Sequence, residues 1–217
     1  MRIAAGGRPL TLLPEGAIWL DDRKTLLIAD AHIGKAATFR RLGVPVPRGT
    51  TSETLGRLER LVAQWGARRV VFLGDLLHSR AAFAEPTQDA FTAWRMRHAA
   101  LDLVLVRGNH DRRAGRLPDA LAIEVVAEPW VEDGLALCHH PEPCAEGYVL
   151  AGHLHPCVVL HGRAGDRLRL PCFHFGAAVG VLPAFGAFTG MHPIAPAPGD
   201  RVYAIAEDGV FALPTSP

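Results

Sequence analysis

Side chains that could bind metal ions recur at five places along the chain, each directly after a short apolar run. The five segments are Asp30-Ala31-His32, Gly74-Asp75 followed by His78, Gly108-Asn109-His110-Asp111, His139-His140 and Gly152-His153-Leu154-His155. Carboxylate, amide and imidazole groups together suit Mn²⁺, Fe or Zn²⁺ better than Ca²⁺. Two such ions about 3.5–4 Å apart can clamp a phosphate and activate a water. Hydrolysis of a phosphate ester is therefore the chemistry that this set of residues would support.

The five segments differ in how specific each one is alone. An Asp-x-His after a strand is more often a turn or a helix cap, because Asp accepts backbone N–H groups there. The Gly-Asn-His-Asp sequence at 108–111 is more specific, since a plain turn needs no imidazole between amide and carboxyl side chains. In Gly-His-x-His at 152–155, alternate residues of an extended segment can face one ion, although two core histidines are the plain alternative. Taken together and in this order, the segments favour a common metal site.

Six apolar runs are typical of mostly buried strands and supply the frame for these residues. The predicted strands are 25–29, 70–73, 101–106, 122–126, 135–138 and 148–151. In an open α/β sheet, ligands bind beyond the carboxyl ends of the strands. Five separate segments are therefore expected to deliver Asp, Asn and His side chains to one rim of the molecule.

Two helices are predicted between these strands. The first begins at a capping box formed by Thr50 and Glu53 and ends at Gly66. Its apolar stripe consists of Leu55, Leu58, Leu61, Val62 and Trp65. The second helix begins near Pro86 and runs towards Ala99.

Length and composition indicate one globular α/β domain over residues 1–217. Hydrophobic residues make up 49% and charged residues 21%, which suffices for a core and a solvated surface. After Val158, short apolar runs with Gly and Pro turns predict a second, more antiparallel sheet that ends in a hairpin of 202–206 and 210–213. The four cysteines form no C-x-x-C pair, so reduced thiols are expected. The absence of a membrane-length apolar run and of a signal peptide predicts a cytoplasmic protein.

The formal net charge of +1 gives no general affinity for polyanions, so a nucleic-acid site would have to be local. Arginines near the polar segments could form it, because a guanidinium makes bidentate contacts with phosphate. They are Arg40, Arg41, Arg48, Arg80, Arg107, Arg112, Arg113 and Arg116. Solvated surface is the plain alternative for each of them. No aromatic cluster interleaves them, so a base-stacking groove is not predicted.

The ordered set Asp-x-His, Gly-Asp-x-x-His, Gly-Asn-His-Asp, His and Gly-His-x-His resembles the calcineurin-like metallophosphoesterase superfamily and extends from Asp30 to His155. The segments 170–173 and 182–190 resemble one branch of it, the ligase-associated DNA damage response endonucleases. The resemblance implies a four-layer α/β/β/α sandwich of two mixed sheets flanked by helices. It also implies that the segment 182–190 completes the second sheet and helps to wall the site.

The resemblance implies two ions bridged by the carboxylate of Asp75. The first ion would bind Asp30, His32, Asp75 and His155, and the second Asp75, Asn109, His139 and His153. Mn²⁺ is the ion that the resemblance favours, with Fe and Zn²⁺ as alternatives. His139 is preferred to His140 as a ligand because it directly follows an apolar run, where the family places its coordinating histidine. One residue of strand register would reverse this choice, and His140 would otherwise face the substrate or pack.

His110 corresponds to the histidine of the family's third motif, which would donate a proton to the leaving oxygen. Asp111 would orient the His110 imidazole and keep it protonated, with a loop cap as the alternative. His78 is a candidate substrate contact, and a turn histidine is its alternative. The predicted substrate-binding set comprises His78, Arg107, Arg112 and His140.

Three hypotheses about function follow. The first is a metal-dependent phosphodiesterase acting on nucleic acid, namely a DNA endonuclease of bacterial DNA repair. For it, the resemblance implies association with a DNA ligase and a helicase and allows a homodimer. The second is the same chemistry on a small nucleotide or phosphomonoester. The third is a noncatalytic, metal-bearing scaffold, against which the presence of His110 argues because a scaffold has no need of an acid.

Overall fold

The computed structural model describes residues 1–46, 49–79, 85–162, 165–207 and 209–214. Arg48 and Arg80, two of the arginines near the polar segments, lie outside the described residues.

The helices of the described chain are α1 (Lys35–Arg41), α2 (Thr50–Trp65), α3 (Glu85–Arg97) and α4 (Asn109–Ala114), with a 3-10 turn at Asp119–Leu121. The strands are β1 (Arg2–Ala5), β2 (Arg8–Leu12), β3 (Ile18–Leu20), β4 (Thr25–Ile28), β5 (Arg69–Leu73), β6 (Asp102–Val106), β7 (Ile123–Val126), β8 (Trp130–Glu132), β9 (Leu135–Leu137), β10 (Tyr148–Ala151), β11 (Pro156–His161), β12 (Arg167–Phe175), β13 (Val179–Val181), β14 (His192–Pro193), β15 (Arg201–Ala206) and β16 (Gly209–Leu213).

The first sheet contains seven strands in sequence order from β1 to β7. The pairs from β1 to β4 are antiparallel, and the pairs from β4 to β7 are parallel. The four parallel strands were predicted from their apolar runs. Strands β1 to β3 were not predicted, because β1 and β2 are only partly apolar and β3 has only three residues. In β2, Leu10 and Leu12 point into the core while Arg8 and Thr11 stay partly exposed.

Alternation of side chains along the parallel strands creates two cores. In β4, Leu26 and Ile28 belong to the core on the helix side, whereas Leu27 and Ala29 belong to the core between the sheets. Successive side chains of a strand point to opposite faces, so a strand buried on both faces is apolar throughout. Burial of each such leucine contributes about 2 kcal/mol. This double burial holds the ends of β4, β5 and β6 in fixed positions.

The second sheet contains nine strands in the order β14-β11-β12-β13-β10-β9-β8, with β15 paired to β12 and β16 paired to β15. It is mixed, since β9, β10 and β13 are parallel neighbours while β12, β15 and β16 pair antiparallel. The predicted closing hairpin corresponds to β15 and β16. The prediction of two mixed sheets packed face to face is confirmed.

The helices pack on the first sheet. In the described part of the chain no α-helix follows Ala114. The outer face of the second sheet instead buries a small cluster that includes Ala136, Cys138 and Val149, against which Cys144 packs. None of the described helices is long and apolar enough to cross a membrane.

Helix α2 matches the predicted first helix except at its beginning. The predicted capping box of Thr50 and Glu53 is wrong, because Gly49 is the N-cap and no side chain caps the helix. The N–H of Glu53 donates to the Gly49 carbonyl at 2.8 Å, so Thr50 is already helical. The predicted end is confirmed, since Gly66 has φ 61° and its N–H donates to the carbonyl of Val62.

The expectation that the segment 182–190 completes the second sheet holds only at its start, where the N–H of Leu182 donates to the Ala151 carbonyl at 2.8 Å. The segment then passes to the first sheet. It follows β13 of the second sheet, but Ala184 forms a parallel bridge with Ala29 at the end of β4. The N–H of Phe185 donates to the Ala29 carbonyl at 2.9 Å. Phe185 then enters the core on the helix side. The segment therefore crosses the rim at the place where the polar residues lie.

Candidate metal centre

The carboxyl ends of five strands meet at one rim between the two sheets. The residues that follow these ends are Asp30 and His32 after β4, Asp75 after β5, Asn109 after β6, His139 after β9, and His153 and His155 after β10. Strands β4, β5 and β6 are parallel neighbours in the first sheet, as β9 and β10 are in the second. The structure thus brings together the side chains of all seven predicted ligands, within two adjoining groups.

The first group consists of Asp30, His32 and His155, whose donor atoms all lie within 4.8 Å of one another. The Nε2 atoms of His32 and His155 are 3.3 Å apart. His155 Nε2 is 3.4 Å from Asp30 Oδ1. The other oxygen of Asp30 accepts the N–H of His153 at 2.8 Å, which ties the end of β4 to the segment after β10.

The second group surrounds the buried ring of His139. Its Nε2 atom is 2.8 Å from Asn109 Oδ1 and 3.1 Å from His153 Nδ1. The same atom is 3.4 Å from Asp75 Oδ2. The His140 ring, by contrast, directs its Nδ1 to Glu128 Oε1 at 2.7 Å. The register of β9 therefore turns His139, not His140, towards Asp75 and Asn109.

Asp75 lies between the two groups. Its Oδ2 atom is 4.0 Å from His32 Nε2 on one side and 3.4 Å from His139 Nε2 on the other. Its Oδ1 atom accepts the N–H of His110 at 2.8 Å, which fixes the carboxylate plane. Burial raises the pKa of Asp75 although this hydrogen bond opposes the effect. A carboxylate in this position is suited to bridging two cations.

The donor atoms fit divalent cations because they include a carboxylate oxygen without a hydrogen-bond partner and imidazole nitrogens with free lone pairs. Asp30 Oδ1 is buried without a hydrogen-bond partner. The Nδ1 atoms of His139 and His155 lie 3.1 Å from the Leu73 carbonyl and 3.0 Å from the Gly190 carbonyl. With the proton on Nδ1, the Nε2 lone pairs of both rings face the other donors, the tautomer that a metal ligand requires. A cluster of facing acceptors of this kind is stabilised by a bound cation.

Burial also keeps the imidazoles in the neutral form that binds metal. Burial lowers the pKa of His32 to about 2, and electrostatic interactions with neighbouring histidines and Lys35 add to the effect. Burial likewise lowers the pKa of His139 and His153, and in each case neighbouring histidines add to the effect. His155 differs, because the adjacent Asp30 carboxylate outweighs the effect of burial and raises its pKa.

Backbone conformation at the rim is unusual. Five of the seven predicted ligands have positive φ, namely Asp30 (53°), His32 (43°), Asp75 (51°), His153 (72°) and His155 (48°). Each such residue costs about 1 kcal/mol or more, and residues of this kind persist where the surrounding structure fixes them. Backbone bonds across the strand ends do so here, since the N–H of His32 donates to the Asp75 carbonyl at 2.9 Å. No pattern in the sequence predicted these positive φ angles.

Two glycines of the motifs are required by the close approach of these side chains. A Cβ atom on Gly74 would lie 2.2 Å from His139 Nδ1, and Gly74 also has φ 77°. A Cβ atom on Gly152 would lie 2.5 Å from Asp30 Oδ2 and 2.8 Å from the Cβ of Ala29. The glycines that precede Asp75 and His153 therefore make room for ligands from other segments.

Replacing Gly152 with alanine should displace Asp30 and weaken binding of the first ion. Displacing a group that orients a ligand costs about 10- to 100-fold in metal affinity, and displacing the ligand itself should cost at least as much. Metal content after dialysis, measured by elemental analysis, checks this. Gly56→Ala is the matched control, because Gly56 lies in α2 and its added Cβ would meet nothing closer than 3.8 Å. The control should keep the metal and gain about 1 kcal/mol of stability, and equal metal content in both variants would contradict the assignment.

His110 lies beside the two donor groups and is held in place by His78 of the second motif. Its Nδ1 atom is 2.7 Å from the His78 carbonyl, and its Nε2 atom is 3.9 Å from Asp75 Oδ2. The ring of His78 stacks on that of His110 with 5.0 Å between centroids. Burial lowers the pKa of His78 to about 4, so its ring is neutral at physiological pH. His78 therefore supports His110 through a carbonyl and a ring face.

Asp111 does not take the orienting position predicted for it. Its carboxylate oxygens accept the N–H groups of Leu77 and Gly108, each at 3.0 Å, and burial raises its pKa. Asp111 caps α4 and joins it to the second motif, which is the loop-cap alternative. The expectation that Asp111 orients the imidazole of His110 is therefore corrected, and the His78 carbonyl makes that contact. The error arose because adjacent residues at the start of a helix point in different directions.

Glu128 is a residue near the site that the sequence analysis missed. Its Oε2 atom accepts the backbone N–H groups of His139 and His140 at 2.8 and 2.9 Å. Its Oε1 atom contacts His140 Nδ1 at 2.7 Å and accepts from Arg112 at 3.3 Å. These bonds to charged and backbone groups lower the pKa of Glu128 despite burial, which opposes the effect. A lone Glu before a proline in a turn carries no motif, so only the fold could reveal it.

Substitution of Glu128 with alanine should loosen the segment that carries His139. The expected result is a rise of about 10- to 100-fold in the Mn²⁺ concentration needed for half-maximal activity, the usual effect of removing a group that orients a metal ligand. A metal titration of activity measures it. Glu146→Ala, an exposed carboxylate in the following loop, serves as the control. An unchanged Mn²⁺ requirement in the Glu128 variant would refute the role.

The predicted arginines occupy different positions around α4. Arg112 is exposed and pairs with Glu128, beside His140. Arg107 is exposed and, with Asp111 and Leu77, lines a cavity of about 470 Å³. Arg116 pairs with Asp119 on the surface at 2.7 Å, an exposed ion pair of little energetic weight. Of these three arginines, Arg112 is linked to the His139 segment through Glu128.

The two-sheet fold and its convergent Asp, Asn and His donors define a metal-dependent phosphoesterase. The family model described as calcineurin-like phosphoesterase matches residues 23–163, and the chain belongs to this family. The predicted family and enzyme class are therefore confirmed.

Two solved structures resemble the chain. The crystal structure of Pseudomonas putida nuclease MPE has 46% sequence identity and a TM-score of 0.88, covering 98% of this chain and 99% of that chain. The structure of Yfce, a phosphoesterase from E. coli, has 16% identity and a TM-score of 0.37, covering 85% of this chain and 88% of that chain. A search of curated proteins found no match. The first likeness extends over the whole fold, including the segments beyond residue 163.

Proposed function

We propose that the chain is a dinuclear metal-dependent phosphodiesterase that cleaves DNA. The observation that carries the proposal is the position of Asp75, whose Oδ2 atom lies 4.0 Å from His32 Nε2 and 3.4 Å from His139 Nε2. Family membership supports the chemistry. The substrate class is supported by the 46% identical P. putida protein, which is a nuclease.

In this proposal the two donor groups hold one ion each. The first ion would be held by Asp30, His32, Asp75 and His155, and the second by Asp75, Asn109, His139 and His153. Oxygen and imidazole donors without a thiolate fit Mn²⁺, Fe or Zn²⁺, and we propose Mn²⁺. When bound, such ions polarise the phosphate and lower the pKa of a coordinated water.

The protein's own contribution to catalysis is a positioned acid. The Nδ1 atom of His110 is fixed by the His78 carbonyl at 2.7 Å, which leaves Nε2 directed towards the cage near Asp75. Protonated at Nε2, His110 donates to the leaving oxygen of the ester, while Asp75 Oδ1 holds the backbone of His110 in place. His78 keeps the ring from rotating away.

Contacts with the substrate come from the side chains that Glu128 holds beside His139. Glu128 orients both the His140 ring and the Arg112 guanidinium, so these two side chains form a unit that can bind a phosphate of the DNA strand. Arg107 adds exposed positive charge near α4. The small net charge of +1 is compatible with this, because Arg107 and Arg112 can supply positive charge locally.

The wider role in the proposal is bacterial DNA repair in the cytoplasm, in association with a DNA ligase and a helicase. Its support is the resemblance of the segments 170–173 and 182–190 to the ligase-associated branch. A homodimer and a single domain over residues 1–217 belong to the same proposal. The core shared by both sheets supports the single domain.

Purified protein loaded with Mn²⁺ tests the proposal directly. Bis-p-nitrophenyl phosphate, p-nitrophenyl phosphate, 2′,3′-cyclic nucleotides, single-stranded DNA and nicked DNA should be compared as substrates. Cleavage of DNA and of the synthetic diester is expected. Turnover of the monoester alone would remove the nuclease function, and no turnover of any substrate would indicate a scaffold. Elemental analysis should find two ions per chain.

A further inference from the structure

A line of aromatic rings leads outward from the metal centre. The ring of His110 stacks on His78 with centroids 5.0 Å apart. The His78 ring lies 6.1 Å from that of Phe39, and Phe39 lies 5.9 Å from Phe188 at an interplanar angle of 83°. A base-stacking groove was not predicted from sequence, because no aromatic cluster interleaves the arginines and Phe39 and Phe188 are far apart in the chain. Folding brings the two phenyl rings together, and the His78 ring connects them to the proposed acid.

Phe39 is positioned by α1, the short helix after the first motif. Lys35 and Phe39 are four residues apart in this helix, so they lie on the same face. The hydroxyl groups of Thr38 and Ser79 are 3.2 Å apart, which joins α1 to the loop of the second motif. Lys35 is half-buried and close enough to Asp30 and Asp75 to feel their charge. Helix α1 thus places the Lys35 ammonium group and the Phe39 ring at the edge of the metal centre.

Phe188 is positioned by the segment 184–190, whose two ends are bonded to the metal centre. The N–H of Gly186 donates to the carbonyl of Asp30 at 3.2 Å. At the other end, the carbonyl of Gly190 is 3.0 Å from His155 Nδ1. Between them, the N–H of Ala187 donates to the hydroxyl of Thr54 in α2 at 3.2 Å. The ring of Phe188 is therefore held at a fixed place relative to two predicted ligands.

The two phenyl rings are not part of the apolar cores. Neither Phe39 nor Phe188 belongs to any of the three apolar clusters of the described residues, and each is only half-buried. Large apolar rings that stay partly exposed beside a polar site are suited to a ligand with its own flat apolar surface. An unpaired nucleobase has such a surface, whereas a base inside a duplex is already stacked on its neighbours.

We propose that Phe39 and Phe188 form a stacking subsite for an unpaired nucleobase next to the scissile phosphate, on the side of His110. This inference rests on the proposed function, because it needs a nucleic-acid substrate. The subsite would favour single-stranded DNA over duplex and over small phosphate esters that lack a base. Stacking of one base on an aromatic side chain changes affinity by roughly 10- to 100-fold.

The test compares two single-stranded oligonucleotides with the Mn²⁺-loaded protein. One has normal bases, and in the other tetrahydrofuran residues replace the nucleosides, so that the phosphates remain and the bases are absent. The unaltered protein should cleave the normal oligonucleotide with a kcat/KM roughly 10- to 100-fold higher than the base-free one. Phe39→Ala and Phe188→Ala should remove most of this preference by raising KM for the normal strand, with little change on the base-free strand.

Further variants separate stacking from packing. Phe188→Leu keeps an apolar side chain without a ring face and should behave like Phe188→Ala, whereas Phe188→Trp should preserve the preference. Phe211→Ala is the matched control, because Phe211 is 54% exposed on β16 and should leave both rates unchanged. Metal content should stay the same in all variants.

The outcomes distinguish this inference from the proposed function. If the protein cleaves both oligonucleotides equally well, or if the variants lose activity equally on both, the subsite is refuted while the nuclease function stands. If the protein cleaves neither oligonucleotide but hydrolyses a phosphomonoester, the proposed function fails and the subsite fails with it.

Discussion

Asp75→Asn should abolish most of the phosphoesterase activity and reduce the metal content below two ions per chain. Asp75 lies between both donor groups, 4.0 Å from His32 Nε2 and 3.4 Å from His139 Nε2. An asparagine keeps the size of the side chain but removes the charge that lets one group bind two cations. Loss of groups that only orient a ligand already costs about 10- to 100-fold, so the loss here should exceed about 100-fold in kcat/KM.

The Asp75 experiment needs both elemental analysis and kinetics. Asp119→Asn is its control, because Asp119 is an exposed carboxylate that pairs only with Arg116 on the surface. Thermal unfolding of both variants establishes that the fold is intact. Two tightly bound ions and unreduced turnover in Asp75→Asn would overturn the dinuclear proposal.

His110→Ala should retain both ions and lose about 10²- to 10⁴-fold in rate on substrates with a poor leaving group, the usual contribution of a general acid. The loss should be much smaller with bis-p-nitrophenyl phosphate, because nitrophenolate leaves without needing a proton. His110 takes its place from the His78 carbonyl at 2.7 Å, and its Nε2 atom is 3.9 Å from Asp75 Oδ2. The measured quantity is the ratio of rates on DNA and on the nitrophenyl diester.

The control for His110 is His161→Ala, an exposed histidine at the end of β11. It should change neither rate nor metal content. Loss of an ion from His110→Ala would show that His110 is a ligand. An equal loss of rate on both substrates would exclude its role as the acid.

The parallel strands and their polar ends could be predicted from sequence because a single physical pattern specifies them. Strands buried on both faces must be apolar throughout, so β4, β5 and β6 stand out from their surroundings. A polar residue that follows such a strand must lie at the rim, which is why the sequence predicted Asp30 and Asp75 to lie there. The pattern is local, and no knowledge of distant contacts is needed to see it.

Other features depend on contacts between distant parts of the chain and left no local signal. Glu128 binds the His139 segment through backbone N–H groups. Almost every residue type has such a group, so the sequence does not mark this contact. The capping role of Asp111 depends on the N–H of Leu77, which lies in another segment. His32 has a positive φ that no glycine marks in the sequence, and its backbone bond to the Asp75 carbonyl holds that conformation. The meeting of Phe39 and Phe188 depends on the path of the segment 184–190.

The segment 184–190 also determines how much of the chain an active fragment must contain. The family match ends at residue 163, and every proposed ligand precedes it. Yet residues after this boundary hold the Asp30 carbonyl and the His155 ring through Gly186 and Gly190. The described residues of the last quarter of the chain include no proposed ligand and still fasten two of the segments that carry ligands. A fragment that ends at the family boundary would therefore carry every proposed ligand and lack the contacts that orient two of them.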